Sequence, residues 1–321
     1  MYINKLESDI RKKDLLCRYT KDEKSEFRDL IITELKKSGY KAKVDNGYSG
    51  LICKDINNVI TDNIDEADYI ITAHYDTPTS NKGSIINILS TIHRYFGNSK
   101  PISIIFGLII LFVLILILEY LDNLHPLLLG FICIILLIET VMSFSSLLFN
   151  NINRYKNKFN LVDNTSGVIG VLALANRLNG NKNIAFILFD KEENGCKGSS
   201  QYMKKIYNSS VNFRKKIIIN LDCICSSSKD DFWVLESNKL PDTNPLLRSI
   251  AEKLDNTIIN KKSLNSDHKS FKENPTLGIG KVKKAKIKGY YLENIHTNKD
   301  TELYPDDIQL LTNTLYEYLI K

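Results

Sequence analysis

The chain has 321 residues, 43% of them hydrophobic and 25% charged, ordinary proportions for a globular protein with a packed core. Its net charge of +6 comes from scattered Lys and Arg, so no nucleic-acid partner is expected. The six cysteines form neither a Cys-x-x-Cys pair nor a disulfide framework, which fits a reducing compartment, and no cleavable signal peptide or internal repeat is expected.

Residues 5–16 and 21–37 have helical spacing, and Phe27, Leu30, Ile31 and Leu35 share one face of the second helix. Thr20 and Glu23 make a capping box before it, and Gly39 suits its stop. Strand-like pieces follow at 41–44, 51–54 and 69–73, the last ending at His74-Tyr75-Asp76-Thr77-Pro78.

The composition then changes abruptly. Residues 101–118 carry no charge and are almost wholly Ile, Leu, Val and Phe, a length close to the ~20 residues that cross a bilayer. A second apolar stretch, 127–149, is interrupted by Glu139, an acid that at mid-membrane needs a partner or a wet surface. The short link between them has no Lys or Arg, whereas Arg94, Lys100, Arg154, Lys156 and Lys158 flank the pair. The positive-inside rule then gives two spans in the cell membrane, with the rest of the chain on the cytoplasmic side.

Beyond the hairpin, Leu161-Val-Asp163-Asn-Thr-Ser-Gly167 leads into an apolar helix over 168–178. Residues 184–189 form a continuous apolar run, read as a strand buried on both faces. Asp190, Glu192-Glu193, Gly195, Gly198 and Ser199 follow it, and a helix begins near Ser200. Further strands are expected at 217–221 and 232–235, and helices at 244–254 and from Pro305. The run Lys281-Val-Lys-Lys-Ala-Lys-Ile-Lys288 reads as an edge strand blunted by lysines. Alternating strands and helices predict an α/β domain whose mixed, mostly parallel central sheet is flanked by helices. A two-helix transmembrane hairpin interrupts it, dividing the chain into 1–98, the insert 99–152, and 153–321.

The chemistry-bearing residues sit at element ends. His74 follows one strand, Glu192 and Glu193 another, and Asp222 a third, while Asp163 precedes a helix and His296 lies in a loop. Imidazoles and carboxylates suit zinc, with cobalt or manganese as substitutes. One carboxylate can bridge two ions about 3.5–4 Å apart, and a further acid must stay free to take a proton from water.

The ordered motifs Ala73-His74-Tyr75-Asp76, Asp163-Asn-Thr-Ser-Gly167, Glu192-Glu193-x-Gly195-x-x-Gly198-Ser199, Asn220-Leu-Asp222 and His296-Thr-x-x-Asp300-Thr301 resemble those of the co-catalytic di-zinc aminopeptidases of peptidase clan MH. Bacterial leucyl aminopeptidases belong to that group, and glutaminyl cyclase and transferrin receptor are relatives. The resemblance implies that His74 and Asp222 bind one zinc, Glu193 and His296 the other, and that Asp163 bridges the two. It makes Glu192 the general base, lets Asp76 orient His74, has Asp300 support the His296 loop, and implies a cis peptide between Asp163 and Asn164. Asp267 and His268, in Ser266-Asp267-His268, fall where relatives build a substrate-facing loop. Cys223 is expected to point away from the site by strand alternation. The implied activity is a membrane-anchored aminopeptidase acting on peptides. A single-zinc glutaminyl-cyclase-like transferase and an inactive receptor or scaffold are the alternatives. The departure from the family is the insert, which occupies the gap between His74 and Asp163 and would bring the catalytic mouth near the bilayer.

Overall fold

In Ile184–Phe189, alternate side chains enter opposite apolar clusters: Ile184, Phe186 and Leu188 one, Ala185, Ile187 and Phe189 the other. All six are fully buried, so helices must cover both faces of this strand. The computed structural model describes residues 2–48, 55–80, 155–210, 212–228, 230–260, 264–285 and 289–320. The chain divides into two units, Met1–Pro78 with Lys156–Lys321, and Thr79–Tyr155. The expected spans 101–118 and 127–149, Glu139 included, lie outside the described residues. Among the described residues no helix is long and apolar enough to cross a membrane.

In chain order the strands are β1 (Ala42–Tyr48), β2 (Asp55–Thr61), β3 (Tyr69–His74), β4 (Thr79–Ser80), β5 (Tyr155–Lys156), β6 (Ile184–Phe189), β7 (Ile217–Leu221), β8 (Phe232–Asn238), β9 (Thr257–Asn260), β10 (Thr276–Lys284) and β11 (Tyr290–Tyr291). The large sheet runs β1-β2-β6-β3-β7-β10-β8-β9, with β11 on β10, and β4 pairs separately with β5. Its centre, β6-β3-β7-β10, is parallel. Antiparallel pairings, β2 with β6 and β10 with β8, join it on either side. The sheet is therefore mixed, and parallel where it is most buried. That arrangement brings the C-terminal ends of β3, β6 and β7 to one edge, where open α/β sheets collect functional groups.

The helices are α1 (Tyr2–Lys12), α2 (Lys21–Lys37), α3 (Gly167–Leu178), α4 (Lys197–Ser209), α5 (Pro245–Lys253) and α6 (Pro305–Leu319). Ile10 of α1, Phe27 of α2, Leu172 of α3, Ile250 of α5 and Leu311 of α6 enter the same cluster as Phe186. On the other face, Tyr202 of α4 joins Phe213, Phe271 and Phe189.

Three local expectations need correction. The first helix lies at Tyr2–Lys12 rather than 5–16, because the chain turns at Asp14 with a left-handed φ of 54°. The strand expected at 51–54 lies outside the described residues, and 55–61, for which no strand is expected, forms β2 with Ile56 and Val59 fully buried. The lysine-rich strand is not an edge: β10 starts earlier and lies between β7 and β8. Lys281 is 3% exposed, ion-paired to Asp307 at 2.7 Å, with its ammonium 5.3 Å from the Trp233 ring centroid. A long aliphatic stem with a paired head can be buried in this way, and a pattern of alternating lysines does not reveal it.

The expected capping box is present. Thr20 Oγ1 accepts the Glu23 N–H at 3.3 Å, and Glu23 Oε2 accepts the Thr20 N–H at 2.7 Å. Thr20→Ala is expected to cost about 1 kcal/mol in urea unfolding, with Thr20→Ser nearly neutral. Burial raises the Glu23 pKa, but hydrogen bonds from Lys156 and Thr20 outweigh it and bring the group from 4.5 to about 2. A depressed carboxylate adds stability above its unfolded pKa and loses it as pH falls through the folded one. Glu23→Gln should therefore lose less stability than the parent protein between pH 4.5 and pH 2, measured by urea midpoints. Parallel curves for the two proteins would contradict this.

Candidate metal centre

Five chain segments converge at the C-terminal edge of the parallel strands. His74 closes β3, Glu192 and Glu193 follow β6, and Asp222 follows β7. Asp163 lies in the irregular turn Leu161–Ser166 that leads into α3. His296 comes from the loop between β11 and α6, with a left-handed φ of 58°.

The carboxylate of Asp163 stands between the two imidazoles. Its Oδ1 is 3.3 Å from His74 Nε2, and its Oδ2 is 2.9 Å from His296 Nε2. His74 Nε2 is also 3.7 Å from Asp222 Oδ1, and His296 Nε2 is 3.6 Å from Glu193 Oε2. Two ligands each about 2.1 Å from a tetrahedral ion lie about 3.4 Å apart, so these separations fit donors that would share a cation as well as direct ion pairs. Ligand atoms of His74, Asp163 and Glu193 lie within 4.8 Å of one another, as do those of Asp163, Asp222 and Cys223. Glu193 Oε1 is buried with no hydrogen-bond partner.

The electrostatics point the same way. Burial lowers the His74 pKa, but hydrogen bonds with Asp163, Asp222 and Asp76 outweigh it and hold the group well above its ordinary value. Burial opposes ionisation of Asp163, yet bonds from His296 and His74 keep it well below the usual carboxylate range. Burial pushes Glu192 well up, helped by the charges of Asp267, Asp222 and Asp76. It does the same to Glu193, beside Asp163 and Glu192. Burial also takes Asp267 to about 7, with Asp76 and Asp222 adding to it. Two imidazoles cannot offset this many buried acids. Divalent cations would supply the missing positive charge, and an imidazole and carboxylate donor set fits zinc.

Backbone contacts set the positions of these side chains. The Asp76 carboxylate accepts the N–H groups of Glu192 at 3.0 Å and Glu193 at 3.3 Å. His74 Nδ1 is nearer to the Asp76 carbonyl oxygen, at 3.2 Å, than to its carboxylate, at 3.6 Å. A proton held on Nδ1 by that carbonyl leaves Nε2 free to face Asp163 and Asp222. Asp300 accepts the N–H groups of Val162 and Asp163 at 2.8 and 3.1 Å, so its carboxylate braces the Asp163 turn rather than His296 itself. The Asp163–Asn164 peptide is cis.

Asn164, for which the sequence implies only a cis peptide with Asp163, links neighbouring segments. Its Nδ2 donates to Leu221 O at 3.0 Å, and its Oδ1 accepts the N–H groups of Gly167 and Cys223. Asp267 is fully buried, and its charge acts on Glu192. The His268 ring lies instead against Gly278 of β10, 3.5 Å from Glu236 Oε1. The two side chains expected as substrate contacts therefore face different neighbours. Cys223 does not point away as alternation suggests. β7 ends at Leu221, and a left-handed φ of 54° at Cys223 turns its thiol toward Asp163 and Asp222. Burial and those two acids raise its pKa well above the ordinary thiol value.

The sequence profile of peptidase family M28 matches residues 155–317, and the chain belongs to that family. The match takes in Asp163, Glu192, Glu193, Asp222, Asp267, His268, His296 and Asp300, while His74 and Asp76 precede it. No curated protein sequence matches the chain. Among solved structures, a Zn-dependent exopeptidase from Parabacteroides distasonis superposes with a TM-score of 0.59 at 15% identity, over 94% of this chain and 91% of that one. Glutaminyl cyclase from Porphyromonas gingivalis gives 0.60 at 12% identity, over 99% and 96%. The LapA aminopeptidase of Legionella pneumophila gives 0.56 at 14% identity, over 99% and 70%. At these identities the likeness is one of fold.

A Cβ at Gly167 would lie 2.3 Å from Asn164 Oδ1 and 2.4 Å from the Leu221 carbonyl oxygen, whereas one at Gly170 meets the tip of Ile224 at 2.7 Å. Gly167→Ala is therefore expected to cost about 1–3 kcal/mol by overpacking, and Gly170→Ala distinctly less. Urea unfolding measures both, and equal costs would mean that the Asn164 link tolerates displacement.

Proposed function

We propose that the chain is a zinc-dependent aminopeptidase that hydrolyses the N-terminal residue from peptides with two metal ions. The observation that carries this reading is Asp163, whose two carboxylate oxygens each face a different imidazole. His74 and Asp222 would hold one ion, Glu193 and His296 the other, with Asp163 common to both. Zinc would supply Lewis acidity toward a peptide carbonyl and a water molecule.

The remaining work falls to the protein. Glu192 belongs to no ligand pair, and its acidic, desolvated surroundings raise its affinity for a proton, as a general base needs. It would take one from the attacking water and deliver it to the nitrogen of the departing amine, so that one proton serves both bond changes. Asp76 ties the backbone of Glu192 and Glu193 to the end of β3, keeping base and ligand in fixed relation. Asp300 does the same for Asp163.

Glu192→Gln should lower turnover of aminoacyl fluorogenic substrates by about 10²–10⁴-fold, with zinc content unchanged. Rates near those of the parent protein would remove Glu192 from its assigned role. The chain's likeness to a glutaminyl cyclase supports a second reading, a single-zinc transferase. One tightly held zinc per chain, with cyclisation of an N-terminal Gln peptide, would favour it over two zincs and hydrolysis.

We further infer that residues 101–118 and 127–149 anchor the chain in the cell membrane, with the catalytic residues on the cytoplasmic side. The uncharged first stretch and the basic flanks Arg94, Lys100, Arg154, Lys156 and Lys158 support this. Substrates would then be peptides or amphipathic N-termini met near the inner membrane surface. Deleting residues 99–152 should release the protein from the membrane fraction and change its preference for membrane-associated over short soluble peptides. Unchanged fractionation would overturn the anchor, and an unchanged preference would overturn the link to access.

A further inference from the structure

Arg18 is the largest charged side chain with no exposure to solvent, and the metal centre described above does not account for it. In the chain it lies between α1 and α2, outside the five ligand-bearing motifs. Its Nε donates to the Tyr75 carbonyl at 2.6 Å. Its Nη1 donates to Thr165 Oγ1 at 2.9 Å and to the Leu15 and Leu16 carbonyls at 3.1 and 3.3 Å. Its backbone pairs with the same segment as its side chain: the Arg18 N–H donates to Thr77 Oγ1 at 2.9 Å, and the Thr77 N–H donates to Arg18 O at 3.3 Å. The guanidinium carbon sits 4.4 Å from the centroid of the Phe27 ring.

These partners are not random pieces of backbone. Tyr75 is the single residue between His74 and Asp76, and Thr165 is two residues beyond Asp163. One guanidinium thus spans the two segments that carry the proposed ligands His74 and Asp163, and fastens both to the α1–α2 link. None of its hydrogen bonds goes to a carboxylate; burial draws its pKa down to about 10, and the charges of Asp76, Asp163 and Asp300 counter that only in part. It holds the framework and leaves the acids to the metal. The clamp uses Nε and Nη1 of the planar guanidinium, Nη2 being buried without a hydrogen-bond partner, and a lysine ammonium cannot match that geometry.

We propose that Arg18 is a positioning residue that sets the spacing of His74 and Asp163, and thereby the affinity of the centre for zinc. The inference rests on the dinuclear reading above. Outer contacts that orient ligands change metal affinity by about 10- to 100-fold when removed, and that is the effect expected here.

The test uses the full-length chain stripped of metal, with zinc affinity measured by competition against a chromophoric chelator. Arg18→Lys should bind zinc at least tenfold more weakly, and its cobalt-substituted form should show a shifted visible absorption band. Among turnover parameters kcat should fall more than KM, since the substrate is not touched. Thr165→Val removes one arm of the clamp while keeping the side-chain shape, and should weaken zinc binding in the same direction but less. Circular dichroism of the metal-free proteins confirms that each is folded when titrated. If Arg18→Lys does not fold, Thr165→Val decides alone. Zinc affinity and cobalt spectrum equal to those of the parent in the folded variants would overturn the proposal and leave Arg18 as a core-packing residue. Failure of the parent chain itself to bind zinc would instead overturn the dinuclear reading.

Discussion

The arrangement turns on one buried carboxylate held between two imidazoles. Asp163 is 4% exposed and stands in an irregular turn, with one oxygen toward His74 and the other toward His296. Burying a charge is costly unless it is paired and hydrogen-bonded, so the surroundings must hold Asp163 tightly. They do so from the backbone side through Asp300, from the following residue through Asn164, and from Thr165 through Arg18. The parallel sheet makes this possible, because β3, β6 and β7 end together and deliver His74, Glu192, Glu193 and Asp222 to the same edge.

Most of the first layer was legible in the chain. Acids and imidazoles at the ends of apolar runs are a local pattern, and His74, Asp163, Glu193 and His296 do meet. The layer behind was not legible, for physical reasons. Arg18 carries no signal in its neighbouring sequence, because the Tyr75 carbonyl and the Thr165 hydroxyl that it holds lie 57 and 147 residues away. For Asn164 the sequence implies only a cis peptide with Asp163, and for Asp300 only support of the His296 loop. Alternation holds only inside a strand, and Cys223 lies two residues past the end of β7 with a left-handed backbone, so the rule fails there. Lys281 shows the opposite error: a charge in an alternating run looks exposed until Asp307 from a distant helix is placed beside it.

Fold alone leaves the chemistry open within a narrow range. The same α/β framework is shared with a Zn-dependent exopeptidase and with a glutaminyl cyclase. What distinguishes activities on such a scaffold is the set of side chains at the sheet edge, not the sheet. His74 is therefore an informative residue here, since it offers Nε2 to both Asp163 and Asp222 while its other ring nitrogen is engaged by a main-chain carbonyl.

The position of β3 has a further consequence. It is gripped on both sides, by β6 over Tyr69–His74 and by β7 over Tyr69–Thr72, and its end is tied to the turn after β6 through Asp76. Covalent continuity through residues 79–155 is thus not what keeps His74 in register. The stretches before and after those residues are held to each other by strand ladder, by a shared apolar cluster and by side-chain bonds such as Arg18 to Thr165, so their joining depends on complementation as much as on the peptide bond.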